Sequence, residues 1–237
     1  MSGEPSVQLA DAFDVADVDT FLARARTADP GGAVRLTAHG PVLLATVRLV
    51  PGAGLFGGGG VLGLRAFALH EAADPAAAPL DVVVATDAVS DRLARMKRTG
   101  ELVLSIPPAQ IVAPWAGQAP PRSGWQPIGA ASGETLRQLA EAGIAEIATG
   151  AGGRSGDGPR AGALAVDELR RRVWTRPAPA LLGGPAGLAF GAHVLGFLHA
   201  ARPVTAASAD PRPVDPTLFR HGEWWRLSTP AGHVAAR

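Results

Sequence analysis

Fourteen residues near the middle of the chain, PWAGQAPPRSGWQP (114–127), hold Trp115, Arg122 and Trp125 among four prolines. Indole and guanidinium are the groups most often found where proteins grip one another. Proline holds the backbone extended, which lowers the ordering cost of binding. Exposed, the three side chains would make a site, with rings to cover a partner and a guanidinium to take its carboxylate. The competing expectation, and the favoured one, is that both indoles pack inward and clamp this stretch across the segments before and after it. Arg122 then remains as the polar residue to watch. A second cationic cluster is DELRRRVWTR (167–176). There Arg170 and Arg172 lie off the apolar stripe of Val166, Leu169 and Val173, and Arg176 stands near the helix end, where a cation is favoured. An anionic partner would account for them, but a solvated face is the favoured expectation. Trp115, Arg122, Trp125, Arg170 and Arg172 are the candidate ligand- or partner-binding residues.

Other clusters are less suggestive. The glycine run GAGLFGGGGVLG (52–63) offers backbone amides for a phosphate. It lacks the Lys and the following helix that a phosphate loop needs, so a hairpin connection is expected. GGRSGDGPR brings Arg154, Ser155, Asp157 and Arg160 together in what reads as a solvated loop spanning 150–162. Of six histidines (39, 70, 193, 199, 221, 233), no two stand three or four apart, so no helix presents a metal pair. His193 is expected in the core, and His221 and His233 flank the C-terminal strands, where they could meet. With no Cys there is no thiolate nucleophile, no Cys-ligated metal and no disulfide. No Gly-x-Ser-x-Gly elbow occurs. The expectation is no catalytic residue, no metal and no cofactor.

Elements to position these groups can be read from periodicity. Val15, Val18, Phe21, Leu22 and Ala25 mark a helix over about 15–28, stopped by Asp-Pro-Gly-Gly. Strands follow at 33–38 and 42–50, around His39-Gly40-Pro41, then at 61–71 and 80–86. Thr46 and Arg48 suggest that one face of the second strand meets water. A helix over 88–98 and a strand over 101–106 come next, and QIVAP has the form of a short edge strand. Beyond the Pro/Trp stretch, Ser132 caps a helix over 133–149 with Leu136, Leu139, Ala140, Ile144 and Ile147 inward. Helices over 163–175 and 186–201 follow, and EWWRLSTPAGHVAAR reads as a hairpin turning at Pro230-Ala231-Gly232. Residues 180–201 carry no charged side chain, a length that could cross a bilayer. Gly183, Gly184 and Pro185 break it, however, and the remaining helix is too short, so a buried core helix is expected.

The fold class expected is α+β. A mostly antiparallel sheet fills the first half (1–113), a Pro/Trp connector spans 114–131, and a helical half (132–237) is closed by the hairpin, with a shared core as an option. The chain has 237 residues, 47% of them apolar, enough for a sizeable core. Net charge is +1 overall, but residues 1–110 carry −3 and residues 151–237 carry +5. Lys occurs once against 21 Arg, and Tyr and Asn are absent, the pattern of a high-GC genome. The acidic N-terminal segment has no secretory pattern.

WRLSTPAGHV is similar to the wing of a winged-helix protein, which would imply duplex DNA as a partner. The helix before it is too apolar to read DNA, so nucleic acid is disfavoured. PWAG…PPRSGW together with WWRLSTPAGHV resembles an uncharacterised protein family of high-GC bacteria, over roughly the second half of the chain. That resemblance implies no known activity. The leading expectation is a soluble, cytoplasmic, non-catalytic interaction or scaffold protein that binds an unknown protein partner or itself as a homodimer, with no membrane. The alternatives are an enzyme or small-molecule binder for an anionic ligand, and the DNA-binding reading.

Overall fold

The computed structural model describes residues 5–52, 60–70, 79–152, 159–198 and 215–237. It is an α+β chain, with five α-helices among the described residues, antiparallel strand ladders and most strands in the first half. Two compact units divide it: Met1–Arg48 with Leu64–Gly117, and Leu49–Gly63 with Gln118–Arg237.

The first unit opens with a short strand, β1 (Ser6–Gln8), and helix α1 (Ala12–Ala28). Asp11 caps α1 by accepting a hydrogen bond from the Asp14 amide at 2.9 Å. The expected stripe Val15, Val18, Phe21, Leu22 and Ala25 is buried. β2 (Ala33–His39) and β3 (Val42–Val50) form a hairpin over Gly40-Pro41. After β4 (Val61–Ala68), strand β5 (Asp81–Ala85) returns to the far side of β2, and the order is β5–β2–β3–β4. Helix α2 (Thr86–Thr99) packs on α1, and β6 (Val103–Ser105) pairs with β1, a partner strand the sequence reading did not identify.

On β3 the face of Val42, Leu44 and Arg48 is the more exposed one, as expected, although Thr46 on it is buried and Arg48 reaches Asp29 at 2.9 Å. One expectation changes here. QIVAP is not a strand. Only Gln110 bridges to Val84, with the Ile111 amide donating to the Val83 carbonyl.

The second unit takes in Leu49–Gly63, the end of β3 and the start of β4, and continues with β7 (Gln126–Ala130), inside the stretch read as connector. Helix α3 (Gly133–Gly152) follows, then α4 (Pro159–Thr175) and α5 (Gly187–Val194). Helix therefore occupies both ends of the loop expected over 150–162, and residues 153–158 between them lie outside the described residues. Arg154, Ser155 and Asp157, most of the glycine run at 53–59, and His199 lie outside the described residues. α3 buries Leu136 and Ala140, but Ile144, expected inward, is exposed. The stripe is rotated because the Trp174 ring of α4 lies against Gly143, leaving no room for a β-carbon there. Trp174 in turn stacks on Phe190 of α5 at 4.4 Å.

α5 is eight residues, not the fifteen or so expected. Gly196 explains the early stop. It adopts φ +71°, its amide donates to the His193 carbonyl, and the Phe197 amide donates to the Ala192 carbonyl. Those are the two bonds of a Schellman C-cap, which needs a left-handed residue after the helix. Among the described residues no helix is long and apolar enough to cross a membrane.

The chain closes with β8 (Thr217–His221), β9 (Trp224–Thr229) and β10 (Gly232–Ala236), in the order β10–β9–β8–β7, all antiparallel. The hairpin at Pro230-Ala231-Gly232 forms as expected, tied by Thr229 Oγ1, which donates to the Gly232 carbonyl. It is part of that longer antiparallel run rather than standing alone as a wing.

Candidate functional site

Alternation along β9 sorts its side chains onto two faces. Register places Leu218, Leu227 and Val234 side by side, all at most 1% exposed. This is the face on which α5 packs. The opposite face carries Thr217, Ser228 and His233 in one row, Phe219, Arg226 and Ala235 in the next, and His221 with Trp224 in the last. Ala235 is buried, His221 is exposed and the others are partly exposed.

Trp125 joins this second face from just before β7. Gly124, at φ +77°, turns the chain into it and lies so close to His221 that a β-carbon there would touch the imidazole. The Trp125 indole Nε1 donates to the Pro121 carbonyl at 2.8 Å, which fixes the ring. Its edge meets the His221 ring at 6.0 Å.

Arg226 is bracketed by aromatic rings. Its guanidinium carbon lies 4.6 Å from the centre of Trp125 and 4.5 Å from the centre of Phe219. Such contacts hold a cation by the negative faces of the rings. Burial pulls its pKa below the ordinary arginine value, yet an arginine stays charged at any physiological pH. Its Nε is buried without a hydrogen-bond partner. Among the described residues no carboxylate pairs with it, whereas Arg137, Arg171, Arg176 and Arg237 each face a glutamate. A stacked guanidinium without an internal acid keeps hydrogen-bonding capacity for an oxyanion from outside.

At the other end of the same face, Ser228 Oγ and His233 Nδ1 share a hydrogen bond of 2.9 Å. Burial first, and the charge of Arg226 second, push the His233 pKa down, so the ring is neutral near pH 7. The pair ties β9 to β10 across the strands. His221 and His233 do not meet. They flank β9 opposite Trp224 and Ser228, about 13 Å apart along the strand at the usual rise. No cluster of three or more metal-binding side chains occurs among the described residues.

The five residues singled out in the sequence are dispersed. Trp115 sits in a 3-10 turn (Pro114–Gly117) of the first unit, partly exposed. The carbonyl beside it, on Ala116, accepts from Arg35 at 2.8 Å. Arg122 is exposed on the loop that leads to Trp125. Arg170 and Arg172 are on α4. Glu146 and Glu168 are held below the usual carboxylate range by hydrogen bonds from Arg176 and Arg171 respectively, with the charge of Arg172 adding to both. Of the five, Trp125 alone is brought into the Arg226 cluster. Phe219, Arg226 and Ser228 were missed, although the strict alternation of Trp224, Arg226 and Ser228 against Trp225 and Leu227 already placed Arg226 and Ser228 on one face; Phe219 joins it only through strand register.

The geometry therefore defines a two-unit α+β protein whose second unit presents an aromatic-bracketed arginine on a sheet face. Residues 2–117 match the family described as Domain of unknown function (DUF8010), and residues 120–237 match Domain of unknown function (DUF8185). The chain is thus two uncharacterised domains in series, and the two matches part close to the division between the units. No curated protein and no solved structure matches it.

Proposed function

We propose that this is a non-catalytic interaction protein of the bacterial cytoplasm, and that it binds its partner, a protein or a second copy, through the outer face of the C-terminal sheet. The observation that carries the reading is Arg226, bracketed by Trp125 and Phe219 with no carboxylate partner among the described residues. Aromatic and arginine side chains together are the usual anchors of protein interfaces. Absence of Cys fits a reducing compartment, and the near-absence of Lys fits a high-GC bacterial genome. Trp125, Phe219, Trp224 and Arg226 form the proposed contact, with Arg122 on the adjoining loop. Trp115, Arg170 and Arg172 are not part of it.

A second reading draws on the same arginine: a small anionic ligand bound by Arg226 with His221. An open sheet face buries little of a small molecule, whereas small-ligand sites are typically concave. That weighs for the protein partner.

The test is capture from the native host by the wild-type chain and by Arg226→Gln and Trp224→Ala, read by intact-complex mass. The expected result is a complex weakened about tenfold or more by each substitution, the size of an anchor residue's effect, with melting temperatures unchanged. Equal recovery by all three chains would sink the reading.

A further inference from the structure

The first unit displays a feature of opposite character to the Arg226 face. Phe13, the second residue of α1, is 80% exposed. It stands between Asp11 and Asp14, and among the described residues neither acid is in an ion pair, whereas Asp17 and Asp19 on the same helix are paired with Arg65 and Lys97. Burial, together with the neighbouring charges of Asp11 and Asp17, raises the Asp14 carboxyl above its usual range, outweighing a hydrogen bond from the Ala68 backbone and the charge of Arg65. A cation brought to this turn would relieve that crowding.

Charge repeats the pattern at larger scale. By sequence, the first unit carries 9 basic and 12 acidic side chains, net −3, and the second carries 13 and 9, net +4. Within one chain there is thus an acid-flanked exposed phenyl ring and, elsewhere, an aromatic cradle around an arginine that pairs with no carboxylate among the described residues.

We propose that the occupant of the Arg226 face is the first turn of α1 from a second copy of this chain, with Phe13 against the rings of Trp125, Phe219 and Trp224 and the Asp11–Asp14 carboxylates on the guanidinium. This rests on the reading of that face as an interaction surface and names its partner. Carboxylate and arginine make the directional, charge-assisted part of the contact. Removal of the phenyl ring from water supplies the apolar part. The contact is heterologous, since each copy offers one knob and one cradle, so it either closes into a ring or continues as a chain. One helix turn on a sheet face is a small interface, so assembly is weak and concentration-dependent.

Sedimentation velocity of the full chain over a concentration series, at low and at high salt, tests it. The wild type is expected to gain mass with concentration and to lose that gain in high salt, because exposed charges are screened. Phe13→Ser, which removes the knob, and Arg226→Gln, which removes the cation of the cradle, should each stay monomeric where the wild type associates. Mixed in equal amounts, the two should pair again, because each supplies what the other lacks. Trp125→Ala serves as a second cradle variant, and melting curves confirm that each variant is folded. A wild type that stays monomeric into the millimolar range, assembly undiminished in both variants, or a mixture that fails to pair would overturn the proposal. A monomeric wild type that still captures a host protein through Arg226 would overturn this inference alone. Failure of both assays would remove the interaction face with it.

Discussion

The arginines of the first unit are held mainly by acids, whereas Arg220 and Arg226 on the C-terminal sheet are held by rings. Arg237, which meets Glu223, and Arg65, which lies 5.6 Å from the Phe67 ring as well as against Asp17, are the exceptions. In the first unit, Arg26 meets Asp87 at 2.8 Å, Arg48 meets Asp29 at 2.9 Å, and Arg35 grips both oxygens of Asp81 at 2.7 Å. On the C-terminal sheet, Arg220 lies over Trp225 at 4.2 Å and Arg226 lies over Trp125 and Phe219. An arginine paired with an internal acid has its hydrogen-bonding edge and its charge answered. An arginine held by rings is positioned while its charge still lacks a counterpart. The first arrangement serves the fold, and the second leaves chemistry available to a partner. Adjacent residues on β9 sharpen the contrast, since Leu227 points into the core and Arg226 points to the other face.

The largest effect expected is on the core side. Leu227 is 1% exposed between Leu218 and Val234. Leu227→Ala should cost about 2–5 kcal/mol, the range for a buried leucine truncated to alanine. Chemical denaturation reads it directly. Arg226→Gln, one position away, should shift the same midpoint hardly at all. If the two substitutions destabilise equally, the division of β9 into a structural and a functional face is wrong.

Next in size is the paired arginine of the first unit. Arg35→Ala removes the grip on Asp81 and the bond to the Ala116 carbonyl. Hydrogen bonds to charged groups are typically worth about 1.5–3 kcal/mol, but Asp81 remains 49% exposed and solvent takes over part of its solvation. A loss of about 1–2 kcal/mol follows, with association through Arg226 retained. Loss of association with stability intact would reverse the roles assigned to the two kinds of arginine.

Much of the fold was legible because its signals are local. The stripe of α1, the Ser132 cap and the turn at Pro230–Gly232 each lie within a few residues of what they define. β7 escaped notice because Pro127 and a register shift before Gly129 disguise it as connector. α5 looked longer because its apolar run continues past Gly196, and composition does not reveal a Schellman bond. The site was legible only in part. Trp125 stood out by residue type. Its cation is 101 positions away, and the pairing of β7 with β8 and of β8 with β9 brings them together. Such a meeting follows from strand register, which no local spacing encodes.

The smallest effect expected separates the two ends of the open face by pH. His233 has its pKa lowered in the fold, by burial first and by the Arg226 charge second, from an ordinary 6.5. Below that value the unfolded chain takes up a proton that the folded chain resists. Stability contributed by the neutral ring is therefore complete above about pH 6.5 and declines as pH falls through the folded value. The groups facing the imidazole are Arg226 on β9 and the Ser228 hydroxyl, with Thr217 in the same row on β8. None is a carboxylate that would stabilise the protonated ring. The acids with lowered pKa, Glu134, Glu146 and Glu168, act only below their ordinary 4.5, and Asp14, raised by burial, adds stability as pH falls, opposite in sign to the histidine. A denaturation midpoint followed from pH 7 to pH 5 should fall for the wild type and stay flatter for His233→Gln. Arg226→Gln should lessen the fall without abolishing it, because the burial of the ring persists after the charge is gone. A slope unchanged by His233→Gln would mean that the ring is not held neutral. A slope abolished by Arg226→Gln would mean that charge, not burial, is the dominant cause, and that the arginine is closer to the Ser228–His233 end of the face than its rings imply.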